Sequence, residues 1–263
     1  MAPRLLLVGG GNMGSALLSG LVAGGWGTVD DIVVSDPDAA TRQRLAEAHP
    51  GLTVVDAPVA AEAALLAVKP DVAEPVCLTL AAVGIDRVLS IVAGLASARL
   101  EAALRPGAVV VRAMPNTPAL IGAGVAGMSG GSTATSADLD WAAGILATVG
   151  TVVRLPERQL DAVTGVSGSG PAYIFLVAEA LIEAGVLAGL PRAASRELAV
   201  GTLLGSARML SETGEDPSTL RAQVTSPGGT TAAGLRMLEL KAVRSAFIEA
   251  VAAAVERSRQ LGR

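Results

Sequence analysis

The sequence has few of the side chains that enzymes most often use for acid-base or metal chemistry. Its 263 residues contain one histidine (His49), one cysteine (Cys77) and one tyrosine (Tyr173). A serine-histidine-aspartate triad would depend on His49, which lies in a loop-like Ala-His-Pro-Gly segment, and a zinc site built from histidine and cysteine lacks ligands. We therefore expect no resident metal, and we expect the reactive group to come from a cofactor.

Other shortages bear on location and partners. One cysteine excludes an intrachain disulfide and fits a reducing cytoplasm, where we expect the protein to reside. The net charge is -4, and no lysine or arginine cluster exceeds what a solvated helix face carries, so we expect no nucleic-acid partner. The apolar run from Ala178 to Leu190 is interrupted by Glu179, Glu183 and glycines, so we expect no membrane span.

Aromatic residues are also scarce, at 2%, although 51% of the residues are hydrophobic. The core must therefore be built from alanine, valine and leucine, which favours closely packed helices and parallel strands. The length suits two ordinary domains. We place a dinucleotide-binding domain in residues 1–156 and a helical domain in residues 157–263.

The first segment with a chemical signature is RLLLVGGGNMGSALLSGLVAGG, near the start of the sequence. Gly9, Gly11 and Gly14 have the G-x-G-x-x-G spacing, between an apolar strand pattern and an apolar helix pattern. In dinucleotide-binding folds these glycines make the turn, admit the pyrophosphate and allow close helix-strand packing, while the helix N-terminus attracts the phosphates. The loop, which also contains Asn12 and Met13, predicts a dinucleotide site.

A second strand pattern, DIVVSDPD, ends in Ser35 and Asp36. An acidic residue at this place usually accepts the hydroxyls of the adenosine ribose, which favours NAD and repels the additional phosphate of NADP. Arg42 and Arg44 follow one helical turn later and offset that repulsion. The stretch therefore leaves NADPH and NADH both open.

Further apolar strand patterns alternate with helical or turn segments as far as residue 118. Such alternation indicates a parallel sheet covered on both faces, in which ligands bind beyond the carboxyl ends of the strands. The predicted ends include Lys69, Ala93 and Asn116, which we assign to the cofactor cleft. The fold class is therefore α/β, a doubly wound Rossmann domain followed by an all-α dimerisation domain.

The last hundred residues have a helical pattern. Gly168 to Gly170 is expected to form a flexible link, followed by a helix from Tyr173 to Leu187 that is apolar on nearly every face. Such a helix is normally buried, so we expect a second subunit to supply part of its cover. Gly201 and Gly205, four residues apart, are expected to let another helix approach closely.

Several segments together resemble pyrroline-5-carboxylate reductase, the last enzyme of proline biosynthesis. They are the glycine loop with Asn12 and Met13, AVKP around Lys69, RAMPNTP around Asn116, DAVTGVSGSGPAYIF, and SPGGTTAAGL. The resemblance runs in order over nearly the whole chain, and the last two motifs are long and specific. It implies reduction of 1-pyrroline-5-carboxylate to L-proline with NADPH, or with NADH. It also implies a homodimer that assembles further into decamers, with the active site between the cofactor domain and the helical domain.

The resemblance also implies site residues. The implied cofactor contacts are Gly9 to Gly14, Ser35, Val68, Lys69 and Ala93. The implied substrate contacts are Glu157, Ser226, Gly229, Thr230 and Thr231. Among these we assign catalytic roles to Thr231, whose hydroxyl would face the ring nitrogen, and to Glu157, which would favour the cationic imine. Whether Thr231 gives a proton or only orients the ring stays open, as does a purely structural role as a helix N-cap.

Alternative functions remain. A β-hydroxyacid dehydrogenase would need an N-x-x-K motif, and a short-chain dehydrogenase would need Y-x-x-x-K, but Tyr173 is followed four residues later by Val177. A reductase of a related cyclic imine, such as a piperideine carboxylate, is harder to separate from the main prediction. A nucleotide-binding regulatory protein without catalytic activity is the alternative from another class.

Overall fold

The computed structural model describes residues 2–262, which fall into two compact units. The first unit comprises the chain up to Ser169 together with the residues from Ala252 onward, and the second is Gly170–Val251. The domain boundary predicted between residues 156 and 157 stays a prediction. The contacts within the chain divide it at a different place, after Ser169.

The first unit contains an eight-stranded sheet in the order β3-β2-β1-β4-β5-β6-β7-β8. Every neighbouring pair is parallel except β6 and β7, which are antiparallel. The strands are β1 (Leu5–Val8), β2 (Ile32–Ser35), β3 (Thr53–Val55), β4 (Ala64–Leu66), β5 (Arg87–Ser90), β6 (Val109–Met114), β7 (Gly124–Gly130) and β8 (Gly150–Arg154). Helices of this unit are α1 (Asn12–Ala23), α2 (Ala39–Ala48), α3 (Pro70–Ala82), α4 (Ser97–Ala103), α5 (Ser136–Leu146) and α6 (Leu160–Val163). The predicted doubly wound, mainly parallel α/β architecture is confirmed.

Both faces of the sheet are covered, which explains why its central strands β1 and β4 are apolar at every position. In β1, Leu5 and Leu7 belong to one buried cluster together with Leu17 of α1. Leu6 and Val8 point to the opposite face, into a second cluster with Leu80 of α3. Because successive side chains of a strand alternate between faces, burial of both faces removes the alternation of polar and apolar residues that marks a half-exposed strand.

Strand β7 was not predicted, because its sequence GVAGMSG is rich in glycine and poor in β-branched residues. Its glycines permit close packing instead. A Cβ at Gly127 would lie 2.7 Å from Cγ2 of Val163 in α6, so that helix approaches the strand more closely than any side chain would allow. Tertiary packing therefore decides the conformation of this segment against its local propensity.

The flexible link predicted at Gly168 to Gly170 is wrong, because the backbone there is helical. A π-helical turn, Thr164–Gly168, leads into α7 (Gly170–Leu187). The continuous helical run Glu157–Leu187 has 31 residues and is long and apolar enough to cross a membrane by length and composition alone. A core helix of a water-soluble protein passes the same test. The sequence argument that charges and glycines interrupt this run before it reaches spanning length is therefore not valid.

The second unit is helical, as predicted. It contains α7, α8 (Arg192–Thr213), α9 (Pro217–Gln223), α10 (Thr230–Leu240) and the first part of α11 (Val243–Leu261). Helices α7 and α8 approach closely at Gly185, where a Cβ would lie 2.1 Å from Oγ of Ser195. No atom of the described chain lies within 4 Å of a Cβ built at Gly201 or Gly205, so the close approach predicted there is absent within one described chain.

The second unit has almost no core of its own. Between Gly170 and Val251 only Ser195 and Ala199 are buried. Large apolar side chains lie open instead, among them Phe175, 62% exposed, and Ile248, 70% exposed. Exposed apolar side chains of this size indicate an association surface, as predicted from the apolar character of α7.

Candidate functional site

The glycine loop joins β1 to α1, and nearby backbone atoms leave no space for side chains at Gly9 and Gly14. Gly9 has a φ of +99°, and a Cβ there would lie 2.4 Å from the carbonyl oxygen of Ala67. A Cβ at Gly14 would lie 2.0 Å from the carbonyl oxygen of Gly9, so helix α1 is packed against the end of the strand. By contrast, nothing lies within 4 Å of a Cβ built at Gly11, which caps the helix.

This arrangement leaves backbone amides at the start of α1 available to an anion. The first-turn amides of Asn12, Met13 and Gly14 have no intrahelical acceptor, and the N-terminus of α1 carries partial positive charge. The open space at Gly11 allows a large group to approach these amides. The loop therefore fits the pyrophosphate of a dinucleotide.

Asp36 is held against the glycine loop. One of its carboxylate oxygens accepts the backbone N–H of Gly10 at 2.7 Å, and the other accepts the N–H of Asp38 at 2.9 Å. Arg44 donates to the carbonyl oxygen of Gly10 at 2.6 Å, and Arg42 donates to that of Asp36 at 2.9 Å. The turn after β2 is thus tied to the loop, with the guanidinium groups of both arginines bonded to backbone carbonyl oxygens.

The other predicted cofactor residues lie at the carboxyl ends of neighbouring strands. Ser35 is buried at the end of β2, and its carbonyl oxygen accepts the N–H of Gly9 at 2.9 Å. Val68 and Lys69 follow β4, where Lys69 is exposed and caps the N-terminus of α3. Ala93 follows β5. The sheet order puts these ends side by side at the edge that contains the glycine loop.

Asn116 has a different environment from the one predicted. Its side chain is buried, with its amide nitrogen donating to the carbonyl oxygen of Ser167 at 3.1 Å and its oxygen accepting the N–H of Val125 at 2.8 Å. These bonds connect the end of β6 to β7 and to the π-helical turn. The side chain is therefore a structural crosslink, and its predicted cofactor contact stays a prediction.

Glu157 is also bonded within the first unit. Its carboxylate accepts the Arg112 guanidinium at 2.6 Å, and it accepts both the N–H and the hydroxyl of Ser97 at 2.7 Å and 2.6 Å. Ser97 is the first residue of α4, so the carboxylate lies at a helix N-terminus, where negative charge is favoured. Sequence reasoning missed Arg112 and Ser97, although an arginine inside the apolar strand β6 signals the need for a buried acidic partner.

These contacts set the charge of Glu157. Burial alone raises the pKa of a carboxyl group, but the hydrogen bonds from Arg112 and Ser97 and the charge of Arg112 outweigh it. The pKa of Glu157 therefore lies below its ordinary value, and the group is ionised at neutral pH. It is an acceptor and an anion there, not a proton donor.

Cys77 shows the opposite case, since burial, followed by the charge of Glu74, raises the pKa of its thiol to about 11.

The SPGGTT motif forms a turn and a helix start in the second unit. The carbonyl oxygen of Ser226 accepts the N–H of Gly229 at 3.1 Å, and Gly228, with a φ of +69°, follows Pro227. Proline at the second position and a left-handed glycine at the third are typical of a type II turn. Helix α10 then begins at Thr230, with Gly229 as its N-cap.

Thr231 therefore does not cap a helix, because it is the second residue of α10. Its side chain is exposed, and its hydroxyl makes no hydrogen bond within residues 2–262. Thr230 and Ser226 are exposed as well. Free amides in the first turn and nearby hydroxyls give this turn the donors that a carboxylate needs.

Among the described residues there is no group of three or more histidine, cysteine, aspartate and glutamate side chains that could hold a metal ion. The chemistry that the geometry supports is dinucleotide binding at the first unit and recognition of a small anion at the second. A mainly parallel α/β unit with a glycine loop at the β1-α1 turn defines the class of protein, a dinucleotide-binding protein of the Rossmann type.

Comparisons with known proteins identify the family. Residues 157–261 match the model described as pyrroline-5-carboxylate reductase dimerisation, and residues 4–94 match NADP oxidoreductase coenzyme F420-dependent. The pyrroline-5-carboxylate reductase of Synechocystis is 45% identical, with all of both chains covered. The chain belongs to the pyrroline-5-carboxylate reductase family, as its motifs predicted.

Solved structures agree with this assignment. A pyrroline-5-carboxylate reductase from Coxiella burnetii is 34% identical, with a TM-score of 0.92 over 100% of both chains. The Plasmodium falciparum pyrroline carboxylate reductase with NADP bound is 30% identical, with a TM-score of 0.87 over 99% of this chain and 98% of that one. The dimerisation domain supports self-association of this chain, in keeping with the exposed apolar helices of the second unit.

Gly11 and Gly14 of the glycine loop give a matched pair of variants. We expect Gly11→Ala to fold normally, because its Cβ has free space, but to bind NADPH at least tenfold more weakly if the pyrophosphate fills that space. We expect Gly14→Ala to lose stability, because its Cβ collides with the carbonyl oxygen of Gly9. Urea unfolding and fluorescence titration with NADPH measure both properties. Unchanged NADPH binding by Gly11→Ala would contradict the predicted position of the cofactor.

The ion pair of Glu157 gives a prediction about pH. Since its pKa is lowered in the folded state, its stabilising effect is fully present above the ordinary value of 4.5 and is lost as the pH falls through the folded pKa. We expect Glu157→Gln to reduce the free energy of unfolding by about 1–3 kcal/mol at neutral pH, and by much less in acid. Urea unfolding at a series of pH values tests this, with Asp140→Asn in an exposed ion pair as the control. A deficit that does not depend on pH would contradict it.

Proposed function

We propose that this protein catalyses the reduction of 1-pyrroline-5-carboxylate to L-proline with NADPH, the final step of proline biosynthesis. The observation that carries the proposal is full-length identity of 45% to a pyrroline-5-carboxylate reductase, joined to a glycine loop whose geometry fits a dinucleotide. The NADP-bound relative from Plasmodium falciparum supports the cofactor.

The reaction needs little acid-base help from the protein. When bound, the reduced nicotinamide would supply a hydride to the imine carbon, C2 of 1-pyrroline-5-carboxylate, which becomes C5 of L-proline. With the ring nitrogen protonated, the C=N π electrons become the nitrogen lone pair of L-proline, which then takes up a proton from water. The tasks of the protein are orientation, exclusion of water and matching of charge, which agrees with its scarcity of histidine, tyrosine and lysine.

The predicted site residues enter the proposal with separate tasks. Gly9 to Gly14 bind the pyrophosphate, and the strand-end residues Ser35, Val68, Lys69 and Ala93 surround the rest of the cofactor. The turn of Ser226 and Gly229 and the first residues of α10, Thr230 and Thr231, bind the substrate carboxylate and ring. Thr231 orients the ring nitrogen through its exposed hydroxyl.

Glu157 enters as a positioning residue. Its two oxygens accept three hydrogen bonds from Arg112 and Ser97, so its negative charge is already matched by a neighbouring cation. We therefore propose that Glu157 fixes the start of α4 and does not stabilise the cationic imine directly.

Two alternatives are distinguished by one assay. A reductase of larger rings would oxidise NADPH faster with 1-piperideine-6-carboxylate than with 1-pyrroline-5-carboxylate. A regulatory protein would bind NADPH and oxidise it with neither. We expect rapid oxidation with 1-pyrroline-5-carboxylate and formation of L-proline in equal amount.

Variants of Thr231 test its role in the same assay. We expect Thr231→Ala to lower kcat/KM for 1-pyrroline-5-carboxylate about tenfold to a hundredfold, because a hydrogen bond to a charged group contributes about 1.5–3 kcal/mol. Thr231→Ser keeps the hydroxyl and should retain most activity. The affinity for NADPH should change little in both variants. Wild-type turnover by Thr231→Ala would remove the hydroxyl from the mechanism.

We propose NADPH over NADH because Asp36 does not present a free carboxylate to the ribose. Both of its oxygens accept backbone N–H groups, from Gly10 and Asp38. Arg42 and Arg44 lie beside it and supply positive charge for an additional phosphate. The match of residues 4–94 to an NADP oxidoreductase model supports the same preference.

Removal of the Asp36 charge tests this preference. We expect Asp36→Asn to raise the ratio of kcat/KM with NADPH to that with NADH about fivefold, since one repulsive charge near the phosphate is worth about 1 kcal/mol at the surface. Asp38→Asn is the matched control, because it removes the same charge two residues away and keeps a side chain suited to the N-cap of α2. Equal ratios in wild type and Asp36→Asn would contradict the proposed effect of this charge.

For the assembled state we propose a homodimer in which the exposed apolar faces of the second unit are buried. Assembly of such dimers into a decamer is a further prediction. A reducing cytoplasm suits the single reduced cysteine, and we propose that location. The absence of a nucleic-acid partner stays a prediction from composition, and the absence of a membrane partner is a proposal without the support of composition.

A further inference from the structure

The segment Ser258–Gly262, at the end of α11, packs against the turn that follows β5. We propose that this segment is a positioning element for the nicotinamide end of the cofactor, acting through Gly94. The inference rests on the proposed function for its assignment of Ala93 as a cofactor contact. The segment belongs to the first unit, although α11 begins in the second.

The contact between Gly94 and the segment is made by backbone atoms. Gly94 has a φ of +75°, and a Cβ there would lie 3.1 Å from Cβ of Leu261 and 3.2 Å from the carbonyl oxygen of Ser258. A Cβ at Gly262 would lie 2.1 Å from the carbonyl oxygen of Gly94. Such an approach requires glycine on both sides, and it leaves the turn little freedom to move toward the segment.

Two polar contacts hold the segment in place. The hydroxyl of Ser258, a buried side chain, donates to the carboxylate of Asp161 at 2.6 Å. Arg99 donates to the carbonyl oxygen of Gly262 at 3.2 Å and pairs with Glu74 at 2.6 Å. A cation near the last carbonyls of a helix is favoured by the helix dipole.

The turn needs this support because it is anchored only at its flanks. Val92 and Leu95 are buried in the core, whereas Ala93 and Gly94 between them are partly exposed. A polar cavity of about 460 Å³ adjoins the turn, with Gly94, Arg112, Glu157 and Arg259 in its lining. The turn is therefore packed closely only on the side of the segment, because its other side faces the open space of the cavity.

The position of the turn decides what a displacement would do. It follows β5, next to the end of β4, and the N–H of Ile91 donates to the carbonyl oxygen of Leu66 at 3.0 Å. Ligands in such sheets lie beyond the strand ends. Because β2, whose end would face the adenosine ribose, lies on one side of β1 and its glycine loop, the ends of β4 and β5 on the other side would face the nicotinamide end. A shift of about 1 Å in a positioning element can reduce turnover about a hundredfold, even where no contact to the substrate is lost. Displacement of Gly94 would disturb the nicotinamide end and leave the glycine loop intact.

The test compares three variants of the full-length protein. Gly262→Val forces a side chain against the carbonyl oxygen of Gly94, and Ser258→Ala removes the hydrogen bond to Asp161. Gln260→Ala is the control, because Gln260 is exposed on the same turn of α11. The readouts are kcat for 1-pyrroline-5-carboxylate, the Kd for NADPH, and the Kd for 2′-phospho-ADP-ribose, which lacks the nicotinamide ring.

We expect Gly262→Val to lower kcat about tenfold or more and to raise the Kd for NADPH about threefold to tenfold, with less than about a twofold change for 2′-phospho-ADP-ribose. Ser258→Ala should show the same pattern with smaller changes, and Gln260→Ala should match the wild type. If Gly262→Val does not fold, Ser258→Ala decides the outcome by the same comparison of ligands.

Equal weakening of both nucleotides would overturn the inference, because it would indicate general damage to the fold. Wild-type values for Ser258→Ala and a folded Gly262→Val would overturn it as well. If the wild-type protein binds NADPH but does not reduce 1-pyrroline-5-carboxylate, the proposed function fails, while the two dissociation constants still decide the role of this segment.

Discussion

The contact on which the cofactor domain depends is the one between the backbone of Gly14 and the carbonyl oxygen of Gly9, where a Cβ would lie at 2.0 Å. It fixes how closely helix α1 approaches the end of strand β1, and so where the free amides of the helix lie. Asp36 and Arg44 then bind the same loop from the neighbouring turn, through the N–H and the carbonyl of Gly10. The position of the backbone amides that would bind the phosphates therefore depends on the lack of a Cβ at Gly9 and Gly14.

The second unit is stabilised in a different way. Since Ser195 and Ala199 are its only buried residues in the described chain, burial of apolar surface within it contributes little to its stability. Apolar side chains as large as Phe175 and Ile248 remain for a partner to cover. Folding of this unit is therefore linked to association, and its apparent stability should rise with protein concentration.

The sequence predicted those features in which local pattern and tertiary structure agree. The glycine loop was predictable because its spacing, its position after an apolar strand and the following helix all indicate one structure, and family membership followed from long, specific motifs. Strand β7 was not, because close packing of α6 on Gly127 outweighs the low strand propensity of its glycines. The glycines of Gly168 to Gly170 indicated a flexible link, but the π-helical turn Thr164–Gly168 leads directly into α7.

The candidate site shows the same limit. Residues proposed to act through the backbone, such as Gly11 and Gly229, are visible in the sequence as motifs. The partners of Glu157 are not, because Ser97 and Arg112 are distant in sequence and meet it only after the sheet has formed. The environment of Asn116 was missed for the same reason, since both of its hydrogen-bond partners lie in later elements.

The division of α11 between the units has a consequence for synthesis of the chain. The first unit includes the residues from Ala252 onward, yet these follow the whole of the second unit in sequence. On the ribosome, where N-terminal parts generally fold first, the sheet would form while the turn at Gly94 still lacks Gly262. The nascent cofactor domain would therefore have its glycine loop complete before the turn at Gly94 gains its contact with Gly262.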